Sequence, residues 1–307
     1  MNSGCGSSAR IRTLERAHRK SIDRESPECF RERSKEGSLI ELSEQEIRTK
    51  NRKSSKGNQL KWLHGDNWYK ADYAGYEGLA EYVVSQLLQY SDLGHNEYVL
   101  YQTEEIRYKK QVLKGCRSRN FLPADCQLLT LERMFQNAYG ESLYKMVYRI
   151  RDVAERLRFL VEMTERMTGK KNAGLYFAKM LTIDALFLNE DRHLHNVAMI
   201  TDPAGGYEYC PIFDNGAALL SDTTMDYPLG GDIYEMIGEV QAKTVSSNFD
   251  EQLDAAEELY GQRLHFTFGE KQLREILDCE THYDKAVKDR VFEVIISQRR
   301  KYSYLFV

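Results

Sequence analysis

The feature that most constrains the fold is an acidic run in the second half of the chain, followed by a second acidic turn. The two segments are Asn189-Glu190-Asp191-Arg192-His193-Leu194-His195-Asn196 and Phe213-Asp214-Asn215-Gly216. Residues 196–201 and 207–213 have strand character, and 202–206 contains turn-forming residues. The pattern predicts a hairpin that brings Asn196 and Asp214 together at its open end.

An aspartate, an asparagine and a second aspartate in this order are typical of kinase-type phosphoryl transfer. The pattern predicts that Asp191 orients the acceptor hydroxyl and takes its proton. It also predicts that Asn196 and Asp214 hold Mg²⁺ against the phosphates of ATP. His193 and His195 alternate as in some metal sites, but no third ligand stands at a recognisable spacing, which favours a structural role for both histidines.

Composition indicates a compact globular protein. The 307 residues, 42% of them hydrophobic, are enough for one large two-lobed domain or two modest domains. A net charge of −4 disfavours direct nucleic-acid binding. The six cysteines include no Cys-x-x-Cys pair, which suits a reducing compartment. No signal peptide or membrane span is apparent, so we expect a cytoplasmic protein, with a secreted effector as the alternative.

The chain divides into three segments by composition and periodicity. Residues 1–35, rich in Ser, Arg and Glu, are predicted to be a disordered or loosely structured basic tail. Residues 36–130 are predicted to form a strand-rich lobe, with a hairpin over 60–71, a helix over 78–88, and strands near 98–102, 106–112 and 127–133. Residues 131–307 are predicted to form a helical lobe, with helices over 143–150, 154–168, 174–188, 250–260, 270–277 and 283–301. This order predicts an α+β, bilobal protein-kinase-like fold.

A kinase also needs a cation on the nucleotide phosphates and a carboxylate that holds this cation. Lys70, at the end of a predicted strand, is the best candidate for the cation, and Lys61 is the alternative. Glu81 on the following helix is the matching carboxylate, with Glu77 as the runner-up. Isolated Lys and Glu residues are usually solvated, so only their order along the chain favours these roles.

A loop that covers the phosphates is expected upstream of the lysine. Its candidate residues are Ser54, Ser55, Gly57 and Gln59. Backbone amides and serine hydroxyls can contact phosphates. The segment has a single glycine and is a weak signal by itself, since an ordinary flexible turn has the same composition.

Several of these segments resemble the HipA-like bacterial serine/threonine kinases, in particular the short CtkA-like members. The resemblance rests on the runs at 55–61, 80–82, 131–135 and 189–196, together with Lys70 and Phe213-Asp214, and it covers about residues 38–300. It implies the roles given above for Asp191, Asn196, Asp214, Lys70 and Glu81, and it makes His193 a brace of the loop. It also implies that a strand at 131–133 is the hinge, with the backbone of Glu132 and Arg133 binding adenine.

The resemblance further implies a protein acceptor, an antitoxin partner and autophosphorylation of a serine in the phosphate-covering loop. The chain departs from the full-length toxins in having residues 1–53 where those proteins carry a larger N-terminal subdomain. The Asp-Arg-His-x-x-Asn run is also similar to phosphoinositide-3-kinase-like enzymes. We therefore expect a serine/threonine protein kinase, and an inactive kinase-fold scaffold or a lipid or small-molecule kinase as alternatives.

Overall fold

The computed structural model of the protein describes residues 39–47 and 59–307, which form an α+β, two-lobed fold. The predicted tail over 1–35 and three of the phosphate-loop candidates, Ser54, Ser55 and Gly57, lie outside the described residues. Within the described ranges no helix is both long enough and apolar enough to cross a bilayer.

The first lobe is built on a five-stranded sheet with the order β1-β4-β5-β3-β2. Its strands are β1 (Ile40–Glu41), β2 (Lys61–His64), β3 (Asn67–Ala71), β4 (Tyr101–Tyr108) and β5 (Gln111–Arg119). All neighbours pair antiparallel except β1 and β4. The predicted hairpin over 60–71 is confirmed as β2 and β3, joined at Gly65, whose positive φ of 55° suits a tight turn.

The strands predicted near 98–102 and 106–112 are placed wrongly. The chain instead runs straight through Tyr101–Tyr108 and turns at Lys109 and Lys110, inside the second predicted strand. Both lysines have positive φ (47° and 68°). Lysine gives no turn signal, so the sequence pattern shows no break there.

One helix, α1 (Glu77–Leu88), packs against this sheet. It approaches β5 closely at Gly78, where an added Cβ would lie 2.5 Å from the carbonyl carbon of Gly115. An added Cβ on Gly115 would in turn lie 2.1 Å from the carbonyl oxygen of Lys70. These two glycines therefore let α1 lie close enough for Glu81 to reach the end of β3.

The second lobe contains eight of the α-helices in the described ranges and a small sheet. The helices are α2 (Leu131–Tyr139), α3 (Leu143–Arg149), α4 (Val153–Thr168), α5 (Ala173–Phe187), α6 (Ile233–Glu239), α7 (Phe249–Tyr260), α8 (Glu270–Cys279) and α9 (Lys285–Lys301). The sheet has the order β6 (Gln127–Thr130), β7 (Ala198–Thr201), β8 (Tyr207–Tyr209). The six helices predicted for this lobe are confirmed, with ends that shift by a few residues.

Helix α5 is the centre of the second lobe. Most of its residues are buried around its whole circumference, including Phe177, Leu181 and Phe187, each with no exposed side-chain surface. A helix that is apolar on all sides is typically surrounded by other elements. The central position of α5 fixes its C-terminal end, from which the 189–196 segment starts.

The strand predicted over 127–133 ends earlier than expected. Thr130 caps a helix instead, with its hydroxyl accepting a hydrogen bond from the backbone N–H of Arg133. Threonine at the N-cap position stabilises the start of a helix, and this preference outweighs the apolar run that suggested a longer strand. Helices α2 and α6 are additions to the predicted set.

Candidate active site

The first part of the site is an ion cluster at the end of β3. Lys70 Nζ lies 2.5 Å from Glu81 Oε1 and 2.7 Å from Asp214 Oδ1. Lys61 Nζ lies 3.8 Å from the same oxygen of Asp214. The structure thus brings together Lys70 of the sheet, Glu81 of α1 and Asp214 of the 213–216 turn.

Charge and burial act in opposite directions in this cluster. Burial raises the pKa of Asp214, but the positive charges of Lys61 and Lys70 outweigh burial and hold that pKa well below its ordinary range. For Lys70, burial lowers the pKa, but Asp214 and Glu81 raise it well above its ordinary value. The aspartate is therefore a carboxylate and the lysine an ammonium at neutral pH.

Asp214 also has an unusual backbone conformation. Its φ is 62°, in the left-handed region that few residues other than glycine, asparagine and aspartate adopt. The next backbone N–H, that of Asn215, donates to Glu81 Oε2 at 2.8 Å. Glu81 therefore holds Lys70 with one oxygen and the turn of Asp214 with the other.

Glu77, the alternative carboxylate, has another role in the structure. Its oxygens accept hydrogen bonds from the backbone N–H groups of Tyr73, Ala74 and Gly75, at 2.7 to 3.3 Å. Glu77 therefore organises the loop before α1. The carboxylate that pairs with Lys70 is that of Glu81 and not that of Glu77.

A buried hydrogen-bond network supports the 189–196 segment. The guanidinium of Arg192 donates to Asp184 on α5, to the carbonyl oxygen of Phe213 at 2.6 Å and to Asn215 Oδ1 at 2.7 Å. Asn189 Nδ2 donates to Asp184 Oδ1 at 3.0 Å. Arg192 thus joins the 189–196 loop to the Phe213–Asn215 turn, although 21 residues separate Arg192 from Phe213 in sequence.

Asp191 and Asn196 lie on the rim of this network. Asn196 Nδ2 donates to the backbone oxygen of Asp191 at 2.9 Å and to its Oδ2 at 3.3 Å. His193 Nε2 lies 3.8 Å from Asp191 Oδ1, and Lys243 Nζ lies 3.5 Å from the same atom. The loop therefore presents one carboxylate between an amide, an imidazole and an ammonium group.

The donor atoms suit a magnesium ion in their chemistry. Mg²⁺ prefers oxygen ligands and is typically held by one or two protein side chains plus phosphates and water. Asp214 offers a carboxylate and Asn196 an amide oxygen, since its nitrogen is already directed at Asp191. In the part of the chain that the structure describes, no group of three or more His, Cys, Asp and Glu side chains could hold a metal ion.

The hinge strand predicted over 131–133, on which the adenine contacts depend, needs a correction. The segment 131–133 is the first turn of α2 and not a hinge strand. The N–H of Glu132 donates to the carbonyl oxygen of Leu194, and the N–H of Arg133 to Thr130. The Glu132 side chain is buried and accepts the N–H of Tyr144 at 2.9 Å. Both residues therefore hold the second lobe together, and their backbone donors are already used.

The lobes are connected instead by residues 120–126, between β5 and β6. In this segment the ring of Phe121 lies 5.6 Å from that of Phe213, next to Asp214. Gln59 is the one phosphate-loop candidate among the described residues. It lies two positions before Lys61, the first residue of β2.

Two functional features are missed by sequence reasoning. The buried pair of Arg192 and Asp184 has a partial signal, because Arg192 lies inside the 189–196 segment and Asp184 is the only acidic residue of the mostly apolar helix α5. Lys243 has no signal, because 52 residues separate it from Asp191.

With this geometry in place, the chain can be compared with known proteins. No family model matches it, and no curated protein is significantly similar to it in sequence. A solved structure, the proinflammatory kinase CtkA of Helicobacter pylori, is similar with a TM-score of 0.55 and 16% identity, over 86% of this chain and 95% of that chain. The toxin HipA of Shewanella oneidensis, solved with HipB and operator DNA, has a TM-score of 0.44 and 14% identity, over 93% of this chain and 74% of that chain.

The chain therefore has the bilobal fold of a kinase-like protein. At this identity the similarity to CtkA establishes the fold, and the fold expected from the sequence is confirmed.

Proposed function

We propose that the protein transfers the γ-phosphoryl group of ATP to a serine or threonine hydroxyl of a protein. The observation that carries this proposal is the convergence of Lys70, Glu81 and Asp214 beside the loop that holds Asp191 and Asn196. Fold similarity alone does not assign a reaction, but this set of groups matches the needs of phosphoryl transfer.

Each group has a role in the proposed reaction. Lys70, fixed by Glu81, binds the nucleotide phosphates. Asp214 and Asn196 bind Mg²⁺, which would neutralise charge on the phosphates. Asp191 orients the acceptor hydroxyl and accepts its proton. Phe121 and the backbone of residues 120–126, which join the lobes beside Phe213, are the proposed adenine contacts in place of 131–133.

Regulation and partners complete the proposal. In the interpretation drawn from the sequence, Ser54 or Ser55 is phosphorylated by the protein itself, and an antitoxin protein controls the kinase. A basic surface that coats nucleic acid is not expected at a net charge of −4.

The experiment is incubation of the purified protein with labelled ATP, Mg²⁺ and a degenerate set of serine and threonine peptides. We expect label on peptide hydroxyls, and we expect none with Asp191→Asn. An inactive scaffold would bind ATP and transfer nothing. A lipid or small-molecule kinase would label acid-soluble or lipid acceptors and leave the peptides unlabelled. Either of these outcomes would overturn the assignment of a protein acceptor.

A further inference from the structure

A second concave site lies beside the catalytic loop. It is a cavity of about 450 Å³ lined by Ser142, Tyr144, Tyr148, His193, Leu194, His195, Gln241, Ala242, Lys243 and Ser247. These residues come from α3 and its N-cap, from the 189–196 loop and from the segment after α6. The cavity is therefore made in the second lobe, away from the cluster around Lys70.

The cavity is joined to the catalytic loop through shared wall residues. Lys243 Nζ lies 3.5 Å from Asp191 Oδ1, and His193 Nε2 lies 3.8 Å from it. The wall of the cavity therefore reaches to within one side chain of Asp191. An acceptor hydroxyl that enters from the cavity passes these side chains to come within about 2.6–3.2 Å of the Asp191 carboxylate, the distance that proton transfer requires.

Lys243 is held in place by its neighbours in sequence. Ala242 and Thr244 are buried, and the hydroxyl of Thr244 donates to the backbone oxygen of Arg192 at 2.7 Å. The N–H of Ala242 donates to the carbonyl oxygen of Ser247 at 2.9 Å. Lys243 itself keeps 39% of its side chain exposed. A fixed backbone and an accessible ammonium group are what a ligand-binding lysine requires.

The lining is polar, with one permanent charge. Lys243 is positive, and the other polar wall residues are two histidines, two tyrosines, two serines and a glutamine. Among the residues that the structure describes, no aspartate or glutamate belongs to the lining. A carboxylate or phosphate would find a cation and several hydrogen-bond donors here, whereas a basic side chain would find no countercharge in the wall.

We propose that this cavity is the acceptor site, and that it takes a serine or threonine in an acidic stretch of a protein. Lys243 then binds a carboxylate next to the acceptor residue. This inference rests on the proposed function. In the reaction the acceptor oxygen forms a bond to the γ-phosphorus, and the bond from that phosphorus to the β–γ bridging oxygen breaks. ADP leaves with the electron pair, and the hydroxyl proton goes to Asp191.

The test compares two peptides that share one central serine, one flanked by glutamates and its match flanked by glutamines. We expect the wild-type protein to favour the glutamate peptide in kcat/KM by about tenfold, the factor for one charge-assisted hydrogen bond. In Lys243→Gln this ratio should fall to about one. The ratio is insensitive to a general loss of activity, because such a loss affects both peptides.

Lys145→Gln is the matched control, since Lys145 is exposed on the adjacent helix α3 but does not line the cavity. It should keep the wild-type ratio. A binding assay needs no turnover. It uses the same peptides with alanine in place of serine, and fluorescence anisotropy measures their binding. There the glutamate peptide should bind about tenfold more weakly to Lys243→Gln than to the wild type.

The outcomes separate this inference from the function on which it rests. Phosphorylated peptides with equal rates for both sequences, or an unchanged ratio in Lys243→Gln, would overturn the acidic acceptor site and leave the kinase standing. Absence of transfer to any acceptor, with no binding of the glutamate peptide, would overturn both. Transfer to anionic small molecules and not to peptides would overturn the protein acceptor.

Discussion

Lys61 and Lys70 stand directly opposite each other on β2 and β3, and both ammonium groups approach one oxygen of Asp214. Like charges directly across a sheet destabilise it. Here Asp214 and Glu81 offset the repulsion. The two lysines are not equivalent, because the Lys70 side chain is 11% exposed and contacts both acids, whereas Lys61 is 29% exposed and lies 1.1 Å further from Asp214 (3.8 against 2.7 Å).

The first prediction separates these two lysines. Lys70→Met should abolish measurable ATP binding, since it removes the cation that forms ion pairs with both Glu81 and Asp214. It should also lower stability by about 3 kcal/mol, because the buried Glu81 carboxylate loses its cationic partner. Lys61→Met should weaken ATP binding by about tenfold or less and leave stability nearly unchanged.

Calorimetry with a non-hydrolysable ATP analogue and urea denaturation measure these two effects. If Lys61→Met lost ATP binding and Lys70→Met kept it, the assignment of the phosphate-binding lysine would be reversed.

The second prediction concerns Asp214. Asp214→Asn should bind the ATP analogue with Mg²⁺ far more weakly than the wild type, since the metal loses its charged protein ligand. The fold should survive, because asparagine also tolerates the left-handed backbone at φ 62°. Calorimetry with and without Mg²⁺ gives the result. A Mg²⁺-dependent affinity equal to that of the wild type would remove Asp214 from the metal site.

The third prediction concerns Asp191. Asp191→Asn should retain ATP affinity and lose about 10²–10⁴-fold in kcat, the usual loss for a general base. Its contact with Asn196 Nδ2 can be kept by the amide oxygen, so the loop should hold its conformation. Asp278→Asn, an exposed aspartate at the end of α8, is the control. Normal turnover by Asp191→Asn would make Asp191 a structural loop residue.

Sequence patterns predict the parts of the fold that depend on local periodicity. The helices around α5 and the β2–β3 hairpin follow from apolar spacing and turn residues. The turn at Lys109 and Lys110 and the start of α2 do not, because lysine is not a turn residue and threonine suits a strand end as well as a helix cap. Thr130 is the last residue of β6 and also caps α2, where its hydroxyl accepts a hydrogen bond from the N–H of Arg133.

The candidate active site also has residues that the sequence predicts and residues that it does not. The acidic run and the order of Lys70 and Glu81 are visible in the sequence because chemistry restricts them to a few residue types. Lys243 is not visible, because only the folded chain brings it to Asp191 across 52 residues. Such long-range partners need the fold before they can be identified.

The fourth prediction concerns Ser54 and Ser55, which the structure does not describe. Ser55 precedes Lys61, a neighbour of Asp214, by six positions. A phosphoserine carries about −1.5 to −2 charges, so near the triphosphate it would repel the nucleotide. We expect incubation with Mg²⁺ and ATP to phosphorylate one of these serines and to weaken ATP binding. Peptide mass spectrometry of the wild type and Asp191→Asn decides this. Active wild-type protein without phosphate on either serine would refute the switch and leave the kinase assignment intact.

The last prediction concerns pH and a contact between the lobes. Asp72, after β3, accepts hydrogen bonds from the N–H of Gly78 and from the hydroxyl of Tyr283 before α9, both at 2.7 Å. Burial, and next the charge of Glu77, raise the pKa of Asp72 to about 7.

An unfolded aspartate has a pKa of about 3.9, so between these values the folded protein binds the proton more strongly. The contribution of Asp72 to stability is therefore present at low pH and lost as pH rises from about 4 to 7. Asp72→Asn cannot titrate, so its free energy of unfolding, relative to that of the wild type, should rise between pH 5 and pH 8. Urea denaturation at both values measures this difference. Asp66→Asn, in the exposed β2–β3 turn, should show no such change. Parallel pH profiles for Asp72→Asn and the wild type would show that Asp72 titrates as in an unfolded chain.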